Sequence, residues 1–164
     1  YLADDGQLRS MVFWMMGSFG RSTWTTLLPA IAIMAVCVLA LIRYARPLDL
    51  LQLGEPEAEF LGVDVKRLKR GVILASAAGV GAGVALCGII GFIGLVVPHL
   101  VRLSIGPSHK LLIPGSALLG ASLAILADLV SRTVIIPAEI PVSLVTSALG
   151  APFFLWLIAR ARPV

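Results

Sequence analysis

Four stretches of the chain carry no Asp, Glu, Lys or Arg: residues 22–42, 71–101, 111–127 and 140–159. They are apolar runs without the strict alternation of a barrel strand. A helix needs about 20 such residues to cross a hydrocarbon core about 30 Å thick. The pattern predicts an all-α, polytopic membrane protein with about five transmembrane helices, at 23–42, 71–88, 91–103, 111–130 and 142–159.

The count exceeds four because the second stretch has to be divided. As one straight helix its 31 residues would run about 46 Å at 1.5 Å per residue, well beyond the core. Arg67, Lys69 and Arg70 precede it, and Arg102 and Lys110 follow. The positive-inside rule places both ends on the cytoplasmic side, so the segment enters the membrane and returns. The division falls near Gly88–Gly91, leaving a short piece from Phe92 to Leu103. Such short helices are tolerated where they are buried in protein or line a cavity. Gly79, Gly81, Gly83, Gly88, Gly91 and Gly94 allow the close approach this requires.

The intervening segments have their own signals. Residues 1–22 form a polar, extracytoplasmic lead-in with a short interfacial helix, capped by Asp4 or Asp5 and greasy at Met11–Met15. Phe13, Trp14 and Trp24 have the character of an interfacial aromatic belt, serving either as surface anchors or as substrate-facing groups. Pro29 sits in the first turns of the first span, and Pro47 is expected to stop it. Residues 47–70 hold the densest charge. Gly54-Glu55-Pro56 turns into a short helix with Glu55, Glu57 and Glu59 at its start, where the helix dipole favours acids. Gly62 is its expected C-cap, and Asp64 caps a second short helix bearing Lys66, Arg67, Lys69 and Arg70. Two consecutive short amphipathic helices suggest a docking surface; the alternative is a solvated loop with snorkelling lysines. Asp128 and Arg132 are spaced to pair at i,i+4. Residues 133–141, with Pro137, Glu139 and Pro141, form an outer loop.

Composition agrees with the patterning. The chain is 59% hydrophobic and 13% charged, with a mean hydropathy of +0.99, against about 45–50% and 25% in soluble domains. The net charge of +4 reflects topology, because basic residues sit at span ends and are not interleaved with aromatics as in a nucleic-acid-binding face. Placing 43–70, 102–110 and 160–164 inside collects 10 of the 13 basic residues and makes the C-terminus cytoplasmic. The chain starts at Tyr1 with no initiator Met or leader, which reads as the C-terminal part of a longer protein. Cys37 and Cys87 lie in apolar spans and give no disulfide framework.

Candidate chemistry is sparse. There is no His-Glu-x-x-His, no Cys pair at ligand spacing and no Gly-x-Ser-x-Gly, so no catalytic residue, metal site or cofactor is expected, and an intramembrane enzyme is the weaker reading. Gly79-Val-Gly81-Ala-Gly83 follows no strand and is not a nucleotide loop. His99 and His109 could be imagined as haem ligands; the preferred reading is that His99 packs or hydrogen-bonds beside Pro98 and that His109 is a solvated loop residue.

An ordered set of short motifs carries a family resemblance: Trp14-Met-Met-Gly-Ser18, Ala45-Arg-Pro-Leu48, Leu53-Gly-Glu55, Leu61-Gly-Val63, Gly91-Phe-Ile-Gly-Leu-Val-Val-Pro-His99, Leu126-Ala-Asp128 with Arg132, and Glu139-Ile-Pro141 leading to Gly150-Ala-Pro-Phe-Phe154. Together they resemble the second half of a permease of the iron-chelate (siderophore or haem) and cobalamin ABC-importer family. The resemblance implies spans six to ten of a ten-span subunit in a bacterial or archaeal cytoplasmic membrane. It implies a homodimer of permeases, an ABC ATPase dimer on the cytoplasmic side that performs ATP hydrolysis, and a periplasmic or lipid-anchored substrate-binding protein. Residues 47–70 would be the ATPase-coupling segment, with Leu53, Gly54, Glu55, Glu57, Leu61, Gly62, Val63 and Asp64 at the contact. Arg132 would meet the binding protein, and Phe13, Trp14, Met15 and Met16 would line the pathway. The substrate implied is haem or a ferric siderophore; cobalamin is the alternative.

Overall fold

A computed structural model describes residues 17–20, 22–134 and 140–160, with backbone only at 158 and 160. The described residues are helical, with no strand among them: α1 (Trp24–Arg43), α2 (Ala45–Leu51), α3 (Glu55–Phe60), α4 (Val65–Cys87), α5 (Ile93–Ile105), α6 (His109–Thr133) and α7 (Val142–Arg160). By length and composition α1, α4 and α6 can cross a membrane; α5 and Val142–Leu157 of α7 are shorter apolar helices.

Two junctions differ from the sequence expectation. The first long helix ends at Arg43, and Pro47 lies inside α2 rather than acting as a stop. Proline is accommodated there because first-turn amides have no intrahelical partner to lose. The second short helix expected after Asp64 is not separate. Asp64 accepts from the Arg67 amide (3.0 Å), and the helix it starts continues to Cys87. The change from charged to apolar at Arg70–Gly71 alters the solvent a helix meets, not its backbone.

The helices pack through small residues, as expected where lipid removes the hydrophobic drive for association. A Cβ on Gly79 of α4 would sit 3.4 Å from Cys37 Cβ of α1. Along α5 and α6, Val97, Val101 and Leu112 form a buried cluster flanked by Ile93, Leu119 and Leu123. A Cβ on Gly115 would meet Val101, and one on Gly120 would meet Val97 and Ile93, so the two helices run antiparallel.

The break between α4 and α5 has a specific geometry. The helix ends at Cys87 and turns at Gly88 (φ +73°). Phe92, the N-cap of α5, has φ +64°, the sole positive φ of a non-glycine among the described residues. A bulky side chain in that region is strained and persists only when its surroundings hold it. Here α7 does so: a Cβ on Gly150 would lie 2.3 Å from Phe92 Cβ.

Hydrogen bonds sort the loops to two ends of the bundle. At one end the Ser18 amide donates to the Cys87 carbonyl (2.8 Å), the Val142 amide to Gly17 (3.4 Å) and the Ile140 amide to Ser131 (3.2 Å). At the other, α2 and α3 meet the starts of α4 and α6 through Glu55–Lys69 and Asp49–His109.

Candidate functional site

The end built from α2, α3 and the start of α4 presents an exposed knob. Gly54 starts α3 with φ +127°, ψ 156°, a backbone region essentially confined to glycine. Glu55 and Glu57 then occupy the first turn, and Glu55 pairs with Lys69. Ala58 is fully buried, whereas Phe60, between Glu59 and Leu61, is 93% exposed; a contiguous exposed apolar patch marks a contact surface. Leu53 and Leu61 are exposed beside it. The helix closes on Gly62 (φ +85°), whose amide donates to the Glu59 carbonyl (2.9 Å) while the Val63 amide reaches Ala58 (3.0 Å). That pair of bonds is a Schellman cap, and the Asp64 cap of α4 follows at once. The structure therefore gathers Leu53, Gly54, Glu55, Glu57, Leu61, Gly62, Val63 and Asp64 into one helix and its two junctions.

Behind the knob is a cluster that sequence reasoning missed. Asp49 of α2 accepts from the His109 amide (2.7 Å) and from the Ser108 hydroxyl (3.1 Å), and His109 Nδ1 lies 2.7 Å from Asp49 Oδ1. Gln52 donates to the Pro107 carbonyl (3.3 Å). His109 is thus the first residue of α6 and is half-buried against α2, not a solvated loop residue, because its amide and ring both find the carboxylate. Partial burial works to raise the Asp49 pKa, but hydrogen bonds from the His109 amide and ring and from Ser108 outweigh it, holding the carboxyl below its ordinary value. A depressed carboxylate stabilises the fold above its unfolded-state pKa, and that contribution is lost as pH falls through the folded value. In the intact protein, the melting-temperature gap between parent and Asp49→Asn should therefore be full near neutral pH and close on acidification. A gap that stays constant down through the carboxylate range would show that Asp49 ionisation contributes nothing.

The opposite end carries the second cluster. Arg132 Nε donates to Asp128 Oδ2 (2.9 Å) one turn back on α6, and the Ser131 hydroxyl donates to the Asp128 carbonyl (2.8 Å). Gly17, Ser18 and Ile140–Val142 close a small pocket around them. Arg132 remains partly exposed. Phe13, Trp14, Met15 and Met16 lie outside the described residues, as do Arg21 and Glu139.

Between α5, α6 and α7 a cavity of about 230 Å³ is lined by apolar side chains and Thr146, with no ionisable group. His99 packs edge-on against Phe153 with ring centroids 6.1 Å apart, and its Nε2 finds no partner among the described residues.

Comparison with known proteins covers nearly the whole chain. The model of the FecCD transport family matches residues 1–160. The chain is 54% identical over 163 residues to the hemin transport system permease protein of Yersinia pestis, covering 99% of this chain and 48% of that protein. It is 46% identical over 160 residues to the vitamin B12 import system permease protein of Vibrio cholerae, covering 98% and 48%. A metal-chelate type ABC transporter solved in an inward-facing conformation superposes with a TM-score of 0.90 at 40% identity, over 98% of this chain and 52% of that one. The chain spans about half the length of the curated relatives it matches.

Proposed function

The chain belongs to the FecCD transport family, and from that premise we propose that it supplies the second half of a membrane permease that imports an iron chelate, haem or a ferric siderophore, at the expense of ATP. The observation carrying this reading is the 54% identity to a hemin permease across 99% of the chain. Haem is the first substrate to test, since the vitamin B12 permease shares 46%, and cobalamin is the second reading. The chain itself hydrolyses nothing; a partner ABC ATPase dimer does so from the cytoplasm. The knob at 53–64 docks on that ATPase, and the C-terminus faces the same side. Two permease subunits pair around the pathway and rock between outward- and inward-open states, the alternating-access scheme. A periplasmic or lipid-anchored binding protein delivers substrate to the end bearing Arg132.

The test is transport by the intact permease with its ATPase and binding protein, in liposomes, with haem, a ferric siderophore and cobalamin in parallel. ATP-dependent uptake of haem or the siderophore is expected. Uptake of cobalamin alone would overturn the iron-chelate assignment.

Docking at the outer end has its own test. Arg132→Glu reverses a rim charge and places two acids one turn apart. Binding-protein association should slow, with a loss that salt blunts because rim charges act chiefly on encounter rates. Association rates equal to the parent's at low ionic strength would mean that Arg132 serves only Asp128.

A further inference from the structure

Asp49 ties α2, the helix that precedes the exposed knob, to the start of α6. The chain leaves α3 through the Gly62 turn and the Asp64 cap into α4, and two further connections lead away. One is the Glu55–Lys69 pair to α4, whose side chains are 59% and 46% exposed; an ion pair so open to water contributes little. The other runs back through Gly54 into α2. That helix is wedged in place: Ala45 is buried, and at its entry the Tyr44 hydroxyl lies 2.7 Å from where a Cβ on Gly71 of α4 would stand.

From α2 the Asp49 carboxylate takes both the amide and the ring of His109, with side chains only 32% and 18% exposed. Ser108 and Gln52 add bonds on either side. Bonds to an ionised acceptor are about twice as strong as neutral ones, and this group is less screened than the α4 pair. Beyond it, α6 runs for 25 residues, about 37 Å at 1.5 Å per residue. It ends at the Asp128–Arg132 cluster.

We propose that Asp49 is a positioning residue that fastens the start of α6 to the docking segment, so that displacement of α3 carries α6, and with it the Arg132 end, as one body. The inference rests on the docking role proposed for residues 53–64. It adds a route through α2 and α6 to the chain's own path from the segment into α4.

The experiment uses the intact permease assembled with its ATPase and binding protein in lipid nanodiscs. The readout is the ratio of ATP hydrolysis with loaded binding protein to hydrolysis without it. Asp49→Ala should lower that ratio about tenfold, the scale of a typical coupling between sites. Asp49→Asn, which keeps one acceptor oxygen for the His109 amide, should fall between Ala and parent. Glu55→Gln should stay within about twofold of the parent, since its pair is exposed.

A merely structural role would reduce the amount of assembled complex without changing the ratio per complex. His109→Ala removes the ring contact but keeps the amide bond; it should lower the ratio about threefold and serves if Asp49→Ala does not assemble. An unchanged ratio in Asp49→Ala or His109→Ala overturns the proposal, and so does a larger loss in Glu55→Gln. A Phe60→Cys permease separates the two readings. If that cysteine never cross-links to the ATPase, the docking role fails and takes this inference with it. Cross-linking with unchanged ratios sinks the positioning role alone.

Discussion

A permease carrying Gly150→Val is expected to lose most of its folded yield and to melt well below the parent. In α7 a Cβ at position 150 would stand 2.3 Å from Phe92 Cβ, 2.6 Å from Cγ and 2.8 Å from Cδ1. These are not the far atoms of a side chain that can swing aside. Phe92 Cβ is fixed to a backbone at φ +64° that caps α5, so relief requires α5 and α7 to part. Forcing carbon into a packed contact costs about 1–3 kcal/mol, and more where backbone must yield. The variant adds two further methyl groups at the same point. Phe92→Gly in the same chain should recover part of the loss, because glycine removes the obstructing Cβ and takes positive φ without strain. Thermal unfolding of the detergent-purified intact permease measures both effects. A Gly150→Val protein melting with the parent would show that Phe92 is not held against α7.

The second large effect is expected at Gly54→Val. At φ +127°, ψ 156° any residue with a Cβ is strained by about 1–3 kcal/mol, and a β-branched one is the least able to comply. The added Cβ would also lie 2.1 Å from Glu57 Oε2, but that carboxylate can rotate away, so the backbone carries the penalty. No apolar stretch is touched, and the amount of protein in the membrane should match the parent. The substitution instead re-aims α3 relative to α2. On the docking role proposed for this segment, transport and stimulated ATP hydrolysis should fall together while the binding protein still associates outside. Gly62→Val should follow the same course more mildly. Its φ is +85° with no atom within 4 Å of the added Cβ, leaving about 1–2 kcal/mol of left-handed strain. Parental transport by Gly54→Val would refute a role for the α2–α3 junction in coupling.

Charge-free stretches mark where α1, α4, α6 and α7 lie, because the lipid solvent that selects such runs also demands helices. The glycine cluster after Cys87 marks the end of α4, and the spacing of Asp128 and Arg132 gave their bond directly. These are local or periodic signals. The extent of α4 was not legible, since Val65–Arg70 is as helical as the apolar part but differs from it in the solvent it prefers. Pro47 was ambiguous for a related reason: a proline stops one helix and suits the first turn of the next, and only the turn at Tyr44 decides between them. The Asp49–His109 bond joins residues 60 positions apart, beyond any motif of spacing. The left-handed Phe92 is likewise fixed by a contact from α7, which no property of the local sequence announces.

The break at residues 88–92 also bears on which sector of the bundle lipid can cover. Non-helical peptide groups at hydrocarbon depth cannot face acyl chains without losing several kcal/mol each. At this break the Cys87 carbonyl is taken by the Ser18 amide and the Gly91 carbonyl by the Ile93 amide; the others need protein or water around them. Wherever the break dips below the headgroups, the sector containing it, α5 and the adjoining face of α7 is therefore expected to be covered by protein or water. The outer faces of α1 and α4, unbroken helix from end to end, carry no such requirement and are expected to face lipid. A spin-labelled or photoreactive lipid should accordingly mark Leu39 and Leu74 and leave Ile89 untouched, although all three are about half or more exposed on the chain.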